Sequence, residues 1–433
     1  MADLGPVAPG YATNPDPWHL KSIFAEYTKI TGTRTRVYAL AAAWLILWAV
    51  IHLYIVTSVF SNAVWFLSYY VVNYRFGFVR RGLAGQLIGL FPDKQYITAA
   101  YLMLWASITV WLAALMWLSV STGVRSERRI MLALVVPVLP FAFSYAVYNP
   151  HPEMFGMAAL LAFCILLTRA GTARSRMLLT GAYGVTTAVL ALMHEAIPLE
   201  FALGAILAIV VLAKDATRAA QRIYAALAIG PGVVSVLLIA ALGRRNISAQ
   251  LCSQVPHVMV EDPFAVSASP TKFVDYFLSG TRSVSDYHDW VRKNLIQEFD
   301  VDTVSAVHLV GQRGFFWLSE SFVIGLFLFF GTIWLIRYLS GVSISVFIRE
   351  IRGNLLLPAL ASLMFVPLFV VAVDWTRWWT LISFDVAIVY ILYAIGRPEI
   401  EQPPTRRQIL VFMCAILVLA VIPTGSTNNV GTY

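Results

Sequence analysis

Charged residues are scarce in this chain: they make up 12% of its 433 residues, whereas hydrophobic residues make up 59%. An ordinary soluble domain is about 25% charged and roughly 45–50% apolar. The low charge content excludes that class, and apolar runs recur from one end of the sequence to the other. The formal net charge of +8 lies largely in short loops between these runs. This pattern favours membrane topology over a nucleic-acid-binding face, so no nucleic-acid partner is expected.

Cysteine is equally scarce, with three residues in the whole chain. Cys164, Cys252 and Cys414 lack the spacing of metal ligands, so neither a disulfide framework nor a zinc site is predicted. The sequence also lacks a Walker loop, a dinucleotide-binding fingerprint and a GxSxG elbow. These absences leave a membrane protein whose chemistry must be inferred from its loops.

A bilayer core about 30 Å thick is crossed by about 20 apolar residues in a helix. Apolar runs of about that length predict an all-α, polytopic membrane bundle of about eleven transmembrane helices. The predicted spans are 37–59, 96–120, 130–148, 154–168, 177–194, 199–213, 223–242, 314–336, 355–373, 378–396 and 408–424. The predicted regions are a tail at 1–36, spans one to seven within 37–242, a long loop at 243–313, spans eight to eleven within 314–424, and a tail at 425–433.

The distribution of Lys and Arg sets the predicted orientation. Short loops on one side of the predicted bundle, such as 125–129, 169–176 and 214–222, are rich in basic residues, whereas the turns at 149–153 and 195–198 contain none. Since short basic loops stay on the cytoplasmic side, the N-terminus is predicted to be cytoplasmic and the loop between spans seven and eight extracytoplasmic. We expect a multi-pass protein of a bacterial plasma membrane with its polar site facing outward.

Arginines alternate with aromatic residues in the first predicted outer segment, at 73–86. Arg75, Arg80 and Arg81 lie there among glycines at 77, 82 and 85. An arginine fork matches phosphate geometry and stays charged when partly desolvated, and glycines permit close backbone approach or a break in a helix. The segment therefore predicts a site for a lipid phosphate. The alternative is interfacial anchoring, with the arginine head groups reaching the lipid head groups.

Two of the tight outer turns each contain a histidine and a glutamate. The first holds His151 and Glu153, and the next holds His194 and Glu195. Ionisable groups at the ends of membrane helices are costly unless partnered, and histidine exchanges protons near neutral pH. The four residues are predicted to share a catalytic acid–base site. The alternative is that they cap helix ends.

A further outer turn combines carboxylates, an arginine and tryptophans. Asp374, Trp375, Arg377 and Trp378 lie in it, and Asp385 follows on the helix face that Asp374 and Trp378 share. Tryptophan faces beside carboxylates suit sugar rings, so these residues are predicted to bind a saccharide. An aromatic belt with an Asp374–Arg377 ion pair explains the same residues without a ligand.

The long outer segment at 243–313 and the N-terminal tail are the main polar regions. Residues 275–299 are predicted to form one or two amphipathic helices that close over the site as a lid, although solvated helix faces account for most of the charges. Residues 18–27 are compatible with a short interfacial helix.

The chain resembles the GT-C class of membrane glycosyltransferases and the related O-antigen ligase and polymerase group. The resemblance is architectural and consists of about eleven spans, a cytoplasmic N-terminus, an arginine-bearing first outer segment and a long outer loop between spans seven and eight. It leaves the subclass open. No acid precedes Asp93 in the first outer loop, whereas Arg80, Arg81 and His151 or His194 match the arginines and histidine of the ligase-like group.

The resemblance implies transfer of a sugar from a polyprenyl-phosphate donor to a cell-envelope glycan or glycolipid. Arg80 and Arg81 would hold the donor phosphate, and a group among Glu153, His194 and Glu195 would deprotonate the acceptor. The expected partners are the lipid-linked donor, the acceptor and membrane lipids. No metal ligand is assigned, and a divalent cation is compatible with the sequence but not required. The alternatives are a transporter or flippase of an envelope precursor, or a non-catalytic envelope-assembly scaffold.

Overall fold

The computed structural model describes residues 32–55, 57, 63–123, 125–213, 215–261 and 284–421. The predicted interfacial helix at 18–27 and most of the first half of the predicted lid lie outside these residues. Within them the chain is a bundle of helices with one small antiparallel sheet. The all-α prediction therefore holds for the bundle but omitted the sheet.

The elements follow in chain order. The helices before the sheet are α1 (Gly32–Tyr54), α2 (Ala63–Ser68), α3 (Gly82–Ile88), α4 (Tyr96–Thr122), α5 (Glu127–Val135), α6 (Phe143–Tyr148), α7 (Glu153–Arg169), α8 (Ala173–Ala191), α9 (Ile197–Glu200), α10 (Ala202–Leu212), α11 (Arg218–Leu242) and α12 (Ser248–Cys252). The sheet comprises β1 (Met259–Glu261) and β2 (Val284–Asp286). The helices after it are α13 (Tyr287–Asn294), α14 (Thr303–Gln312), α15 (Phe315–Ser340), α16 (Ile344–Arg352), α17 (Leu356–Leu363), α18 (Phe365–Val371), α19 (Trp375–Ile395) and α20 (Arg406–Val421). Short 3-10 helices lie at Asp93–Gln95, Val136–Val138, Ile296–Asp300 and Pro398–Glu401.

Six helical segments in the described part of the chain are long and apolar enough to cross a membrane. They are Arg34–Tyr54, Asp93–Thr122, Glu127–Tyr148, Arg218–Leu242, Phe315–Ser340 and Trp375–Ile395. A bent pair, Ile344–Arg352 with Leu356–Val371, makes a seventh if it is one span. The remaining predicted spans correspond to α7, α8, α9 with α10, and α20. The chain is thus a helical membrane protein, while the count of eleven spans stays a prediction.

Two predicted spans are interrupted. The run at 130–148 is divided into α5, a 3-10 turn containing Pro137, and α6, because proline lacks the N–H that a continuing helix needs. The run at 355–373 is divided into α17 and α18, and the pair formed by α16 and the following segment bends by 100°. Apolar length predicted where helices would occur but not where they would break.

Helices approach closely where a glycine faces a neighbour. A Cβ on Gly184 of α8 would lie 2.0 Å from the carbonyl oxygen of Leu227 in α11, so a larger residue would push these helices apart. A Cβ on Gly325 of α15 would lie 2.5 Å from Cβ of Trp379 in α19. Such contacts draw membrane helices together through van der Waals packing. Helix α19 is buried along most of its length and forms the centre of the bundle.

A small region outside the long helices covers one end of the bundle. Strands β1 and β2 pair in antiparallel register, with Val260 opposite Ser285. Helix α13 follows, and its first N–H groups are capped by Asp286, which accepts a hydrogen bond from the backbone N–H of His288 at 2.9 Å. The predicted lid thus contains a helix and a 3-10 turn at 287–300, preceded by a strand that the sequence did not predict.

Candidate functional site

A cavity of about 1210 Å³ lies at the end of the bundle where α6 and α7 meet and where α19 begins. It is lined by His151 and by residues from the segments 66–81, 194–199, 236–245, 290–313 and 367–378. These segments are far apart in sequence, and each of the five includes residues of a predicted outer loop or turn. We call this cavity, with the side chains that line it, the site.

Arg81 and Glu195 form the best-defined ion pair of the site. Arg81 donates from Nε to Glu195 Oε2 at 2.9 Å and from Nη2 to Oε1 at 3.0 Å. This two-point geometry fixes both groups and strengthens the hydrogen bonds. Arg81 has a left-handed backbone with φ of 60°, which a residue with a Cβ adopts only when its surroundings compensate for the strain.

Arg80 approaches the same carboxylate. Its Nη1 lies 3.5 Å from Glu195 Oε1, its Nη2 donates to the backbone carbonyl of Glu298, and its guanidinium lies 4.9 Å from the Phe299 ring centroid. Burial raises the pKa of Glu195, but the charges of Arg81 and Arg80 outweigh it and hold that pKa well below its usual range. Glu195 is therefore ionised and paired with two arginines. This arrangement favours a role in positioning the two guanidinium groups over a role in proton transfer.

The glycines beside these arginines have a packing role. A Cβ on Gly82 would lie 2.2 Å from the Tyr74 ring, and one on Gly85 would lie 2.2 Å from the carbonyl oxygen of Val72. Both glycines permit close approach, one of the two roles that the sequence suggested. Their presence is explained by the fold and does not by itself indicate a ligand.

Arg377 connects the remaining outer turns. It donates from Nη2 to Asp374 Oδ2 at 2.9 Å, and its Nε lies 3.9 Å from Glu153 Oε1. Its Nη1 lies 3.4 Å from His151 Nε2, and its guanidinium lies 4.4 Å from the Trp378 ring centroid. The predicted Asp374–Arg377 pair is present, and it is joined to the turn that contains His151.

His151 is buried and uncharged. Burial, and next the charge of Arg377, lower the pKa of His151 well below its ordinary value, so the ring is neutral near pH 7. Because a guanidinium only donates hydrogen bonds, Nε2 is the acceptor for Arg377 and Nδ1 carries the ring proton. That Nδ1 has no hydrogen-bond partner among the described residues, so His151 offers a donor at the site.

Glu153, His194 and Glu200 converge beneath the cavity. Each offers one nitrogen or oxygen atom, and these atoms all lie within 4.8 Å of one another. Tyr145 donates its hydroxyl to Glu153 Oε1, and His194 lines the cavity. Glu200 was not predicted as a site residue, although an acid near the start of the apolar run at 199–213 is a signal of a partnered site.

Three predicted site residues lie away from the cavity. Arg75 is exposed and does not line it. Trp375 donates its indole N–H to the backbone carbonyls of Phe369 at 2.9 Å and Ala372 at 3.1 Å. Asp385 is fully buried and accepts the backbone N–H of Gly204 at 3.0 Å, so it joins α19 to α10. The other predicted residues either line the cavity or, like Glu153, lie against its lining.

A family model described as uncharacterised membrane protein Rv1490 matches residues 38–420. The chain belongs to this family. It is also 58% identical over 412 residues to the protein Rv1490 of Mycobacterium tuberculosis (strain H37Rv), covering 94% of this chain and 95% of that protein. The Mb1527 protein of Mycobacterium bovis matches with the same identity and coverage. No solved structure matches the chain.

Proposed function

We propose that the chain is a membrane glycosyltransferase that transfers a sugar from a polyprenyl-phosphate donor to a cell-envelope glycan or glycolipid at the extracytoplasmic face. The observation that carries the proposal is the lining of the cavity, which is basic in one part and apolar in another. A lipid-linked sugar has the same division, with an anionic phosphate between a sugar and a long apolar chain.

The polar part of the lining carries excess positive charge. Six arginines and four carboxylates line the cavity, so the fully ionised lining has a net charge of +2. The arginines are Arg80, Arg81, Arg244, Arg245, Arg313 and Arg377, and the carboxylates are Glu195, Glu298, Asp302 and Asp374. In a partly desolvated cavity this excess favours an anion over a cation or a neutral ligand.

The apolar part of the lining comes from helices of the membrane bundle. Val236, Ile239 and Ala240 contribute from α11, and Leu368 and Val371 contribute from α18. Ala240 is among the exposed residues of α11, so the apolar wall continues to the surface that faces lipid. A polyprenyl chain can lie along this wall with its phosphate among the arginines, without leaving the membrane.

The ion pairs suggest how the phosphate is recognised. Glu195 fixes the guanidinium groups of Arg81 and Arg80, and each arginine retains N–H donors beyond those directed at Glu195 because a guanidinium has five. Donors held in place before the reaction stabilise charge that develops on a leaving group. Arg81 and Arg80 are therefore the proposed phosphate ligands, and Glu195 is the residue that positions them.

In the proposed reaction an acceptor hydroxyl oxygen bonds to the anomeric carbon of the donor sugar. The bond from that carbon to the phosphate oxygen breaks, and the phosphate leaves with the electron pair. The hydroxyl proton passes to the Glu153–His194–Glu200 group, which lies beside the cavity and has carboxylate oxygens available as acceptors. Trp378, which lines the cavity beside Arg377, is the proposed contact for the sugar face.

Turnover of defined donors tests the proposal. The full chain in lipid nanodiscs is supplied with a panel of polyprenyl-phosphate hexoses and pentoses and with a glycan and glycolipid extract of bacterial envelope. Mass spectrometry then measures released polyprenyl phosphate and glycosylated acceptor. We expect both products from at least one donor. The proposal would be contradicted if intact donor moved across vesicle membranes and no polyprenyl phosphate was released. That result would indicate a transporter.

A further inference from the structure

The group Glu153, His194 and Glu200 has a bonding capacity that the proposed proton transfer does not explain. Glu153 is the first residue of α7, His194 follows α8 in the turn before α9, and Glu200 is the last residue of α9. Two of the side chains are fully buried, and His194 is 4% exposed. Three helix ends thus bring two carboxylates and an imidazole together where water is largely excluded.

These side chains have bonding capacity that the described residues do not use. Glu153 Oε2, both carboxylate oxygens of Glu200 and His194 Nδ1 are buried and have no hydrogen-bond partner there. Buried polar atoms are nearly always paired in folded proteins. Four such atoms in one group indicate a ligand that the three residues hold in common.

The charge of the group points to a cation. Two carboxylates at this separation repel each other in a low-dielectric interior unless a cation or a shared proton lies between them. The nearest arginine side chain, Arg377, reaches Glu153 at 3.9 Å but is already paired with Asp374 at 2.9 Å.

We propose that Glu153, His194 and Glu200 bind one divalent transition-metal ion. An imidazole nitrogen with two carboxylate oxygens is a ligand set for Zn²⁺ or Mn²⁺. Ligand atoms about 2.1 Å from one ion lie no more than about 4.2 Å apart, so the three side chains draw slightly closer on binding. His194 also lines the cavity, so an ion held by these residues would lie beside the ligand that occupies the cavity.

The metal site does not rest on the proposed function, because it follows from three side chains whatever the cavity binds. If the chain is a glycosyltransferase, the ion would lower the pKa of an acceptor hydroxyl bound to it, and a carboxylate oxygen of the group would take the proton. Metal content and turnover are separate measurements, so failure of one leaves the other interpretable.

Metal binding by the full chain tests the proposal directly. The protein, in nanodiscs and with any affinity tag removed, is stripped with EDTA, exchanged into metal-free buffer and titrated separately with Zn²⁺ and Mn²⁺. Elemental analysis after gel filtration should find about one ion per chain for at least one of the two metals. If the wild-type protein retains neither metal at about one ion per chain, the proposal is wrong. The two carboxylates would then share a proton instead of binding an ion.

Substitutions locate the ion. Glu200→Gln keeps the shape of the side chain and removes one charge, and we expect it to weaken binding at least tenfold. The matched control is His288→Gln, which removes a half-buried histidine of α13 that does not line the cavity; it should bind the metal as the wild type does. Equal affinity in Glu200→Gln and the wild type would contradict the assignment.

A spectroscopic measurement on the wild type covers the case in which Glu200→Gln does not fold. Bound Mn²⁺ should show pulsed-EPR coupling to one ¹⁴N nucleus, because His194 is the single imidazole ligand proposed. His194→Gln should lose that coupling, and His288→Gln should keep it. Bound Mn²⁺ without nitrogen coupling in the wild type would overturn the site.

Discussion

The two ends of the bundle use arginine in different ways. At the end opposite the site, Arg129 donates to the Glu401 carboxylate at 2.7 Å, to the Thr122 carbonyl at 3.0 Å and to the Ile395 carbonyl at 2.8 Å. Arg128 donates to the backbone carbonyl of Gln402 at 2.9 Å. These contacts tie helix ends to the 3-10 turn at 398–401, and none of the described arginines there lines the cavity.

At the site end the polar groups are only partly satisfied. Arg81 and Arg377 have carboxylate partners, yet Arg377 Nε, His151 Nδ1 and His194 Nδ1 have no hydrogen-bond partner among the residues that the structure describes. The same side chains lie on or against a cavity. The comparison indicates two roles for arginine at the ends of the bundle. An arginine whose N–H donors are all paired within the protein stabilises the fold, whereas one with unpaired donors beside a cavity is suited to bind a ligand.

The largest effect is expected from Arg81→Ala. Because the variant removes the bidentate partner of Glu195 and a proposed phosphate ligand together, we expect transfer to fall at least about 100-fold. Release of polyprenyl phosphate by the nanodisc protein measures it. Arg292→Ala is the control, since Arg292 is an exposed arginine of α13 paired with Asp289 and should retain full activity. Equal activity in Arg81→Ala and the wild type would remove the phosphate role.

Arg129→Ala, at the opposite end of the bundle, should lower the stability of the protein and leave donor binding unchanged. Three acceptors lose their donor, one of them a carboxylate, so we expect the free energy of unfolding to fall by roughly 2–4 kcal/mol. Thermal unfolding followed by tryptophan fluorescence measures the loss, and donor affinity of the folded fraction should be unchanged. Arg125→Ala, at an exposed position nearby, should leave the melting temperature unchanged. A melting temperature in Arg129→Ala equal to that of the wild type would contradict the structural role.

Ala240→Trp tests the apolar wall of the cavity. The added ring would occupy space proposed for the polyprenyl chain, so we expect donor affinity to fall about tenfold, or about 1.4 kcal/mol. Titration with polyprenyl phosphate, followed by native mass spectrometry, measures this affinity. Ala241→Trp adds the same ring at an exposed neighbour that does not line the cavity and should bind normally. Equal affinities in the two variants would place the lipid elsewhere.

Arg75→Ala should have the smallest effect. The sequence predicts Arg75 as a substrate-binding residue, but the side chain is exposed and lies outside the cavity lining. We therefore expect less than about a twofold change in donor affinity, because an exposed charge far from the ligand is screened. The same lipid titration measures it, and a loss as large as that of Arg81→Ala would extend the binding surface beyond the cavity.

Several polar residues that the sequence places on the same side of the predicted bundle lie close together in the structure. Counting basic loops placed Arg80, His151, His194 and Arg377 on one side, and all four line one cavity. Their functional roles remain predictions. Loop charge predicts which loops share a side of the membrane, and residues in such loops are expected to lie at one end of the bundle; the side itself stays a prediction.

The sequence predicted less well which side chains of a helix face the cavity and where the helices break. Asp374, Trp378 and Asp385 share a helix face, but Asp385 lies deeper and bonds to the Gly204 backbone instead of reaching the cavity. Glu200 was not predicted as a site residue because a single acid does not change the classification of an apolar run as a membrane span. The division of 355–373 into α17 and α18 depends on packing against other helices, which hydropathy does not describe.

The most direct test is a cryo-EM map of the protein in nanodiscs with a saturating polyprenyl-phosphate sugar. We expect elongated density along Val236 and Ala240 that ends at Arg80 and Arg81, with the sugar beside Trp378. An empty cavity at saturating donor, or lipid density that ends at the Arg129 end of the bundle, would contradict the assignment of the site.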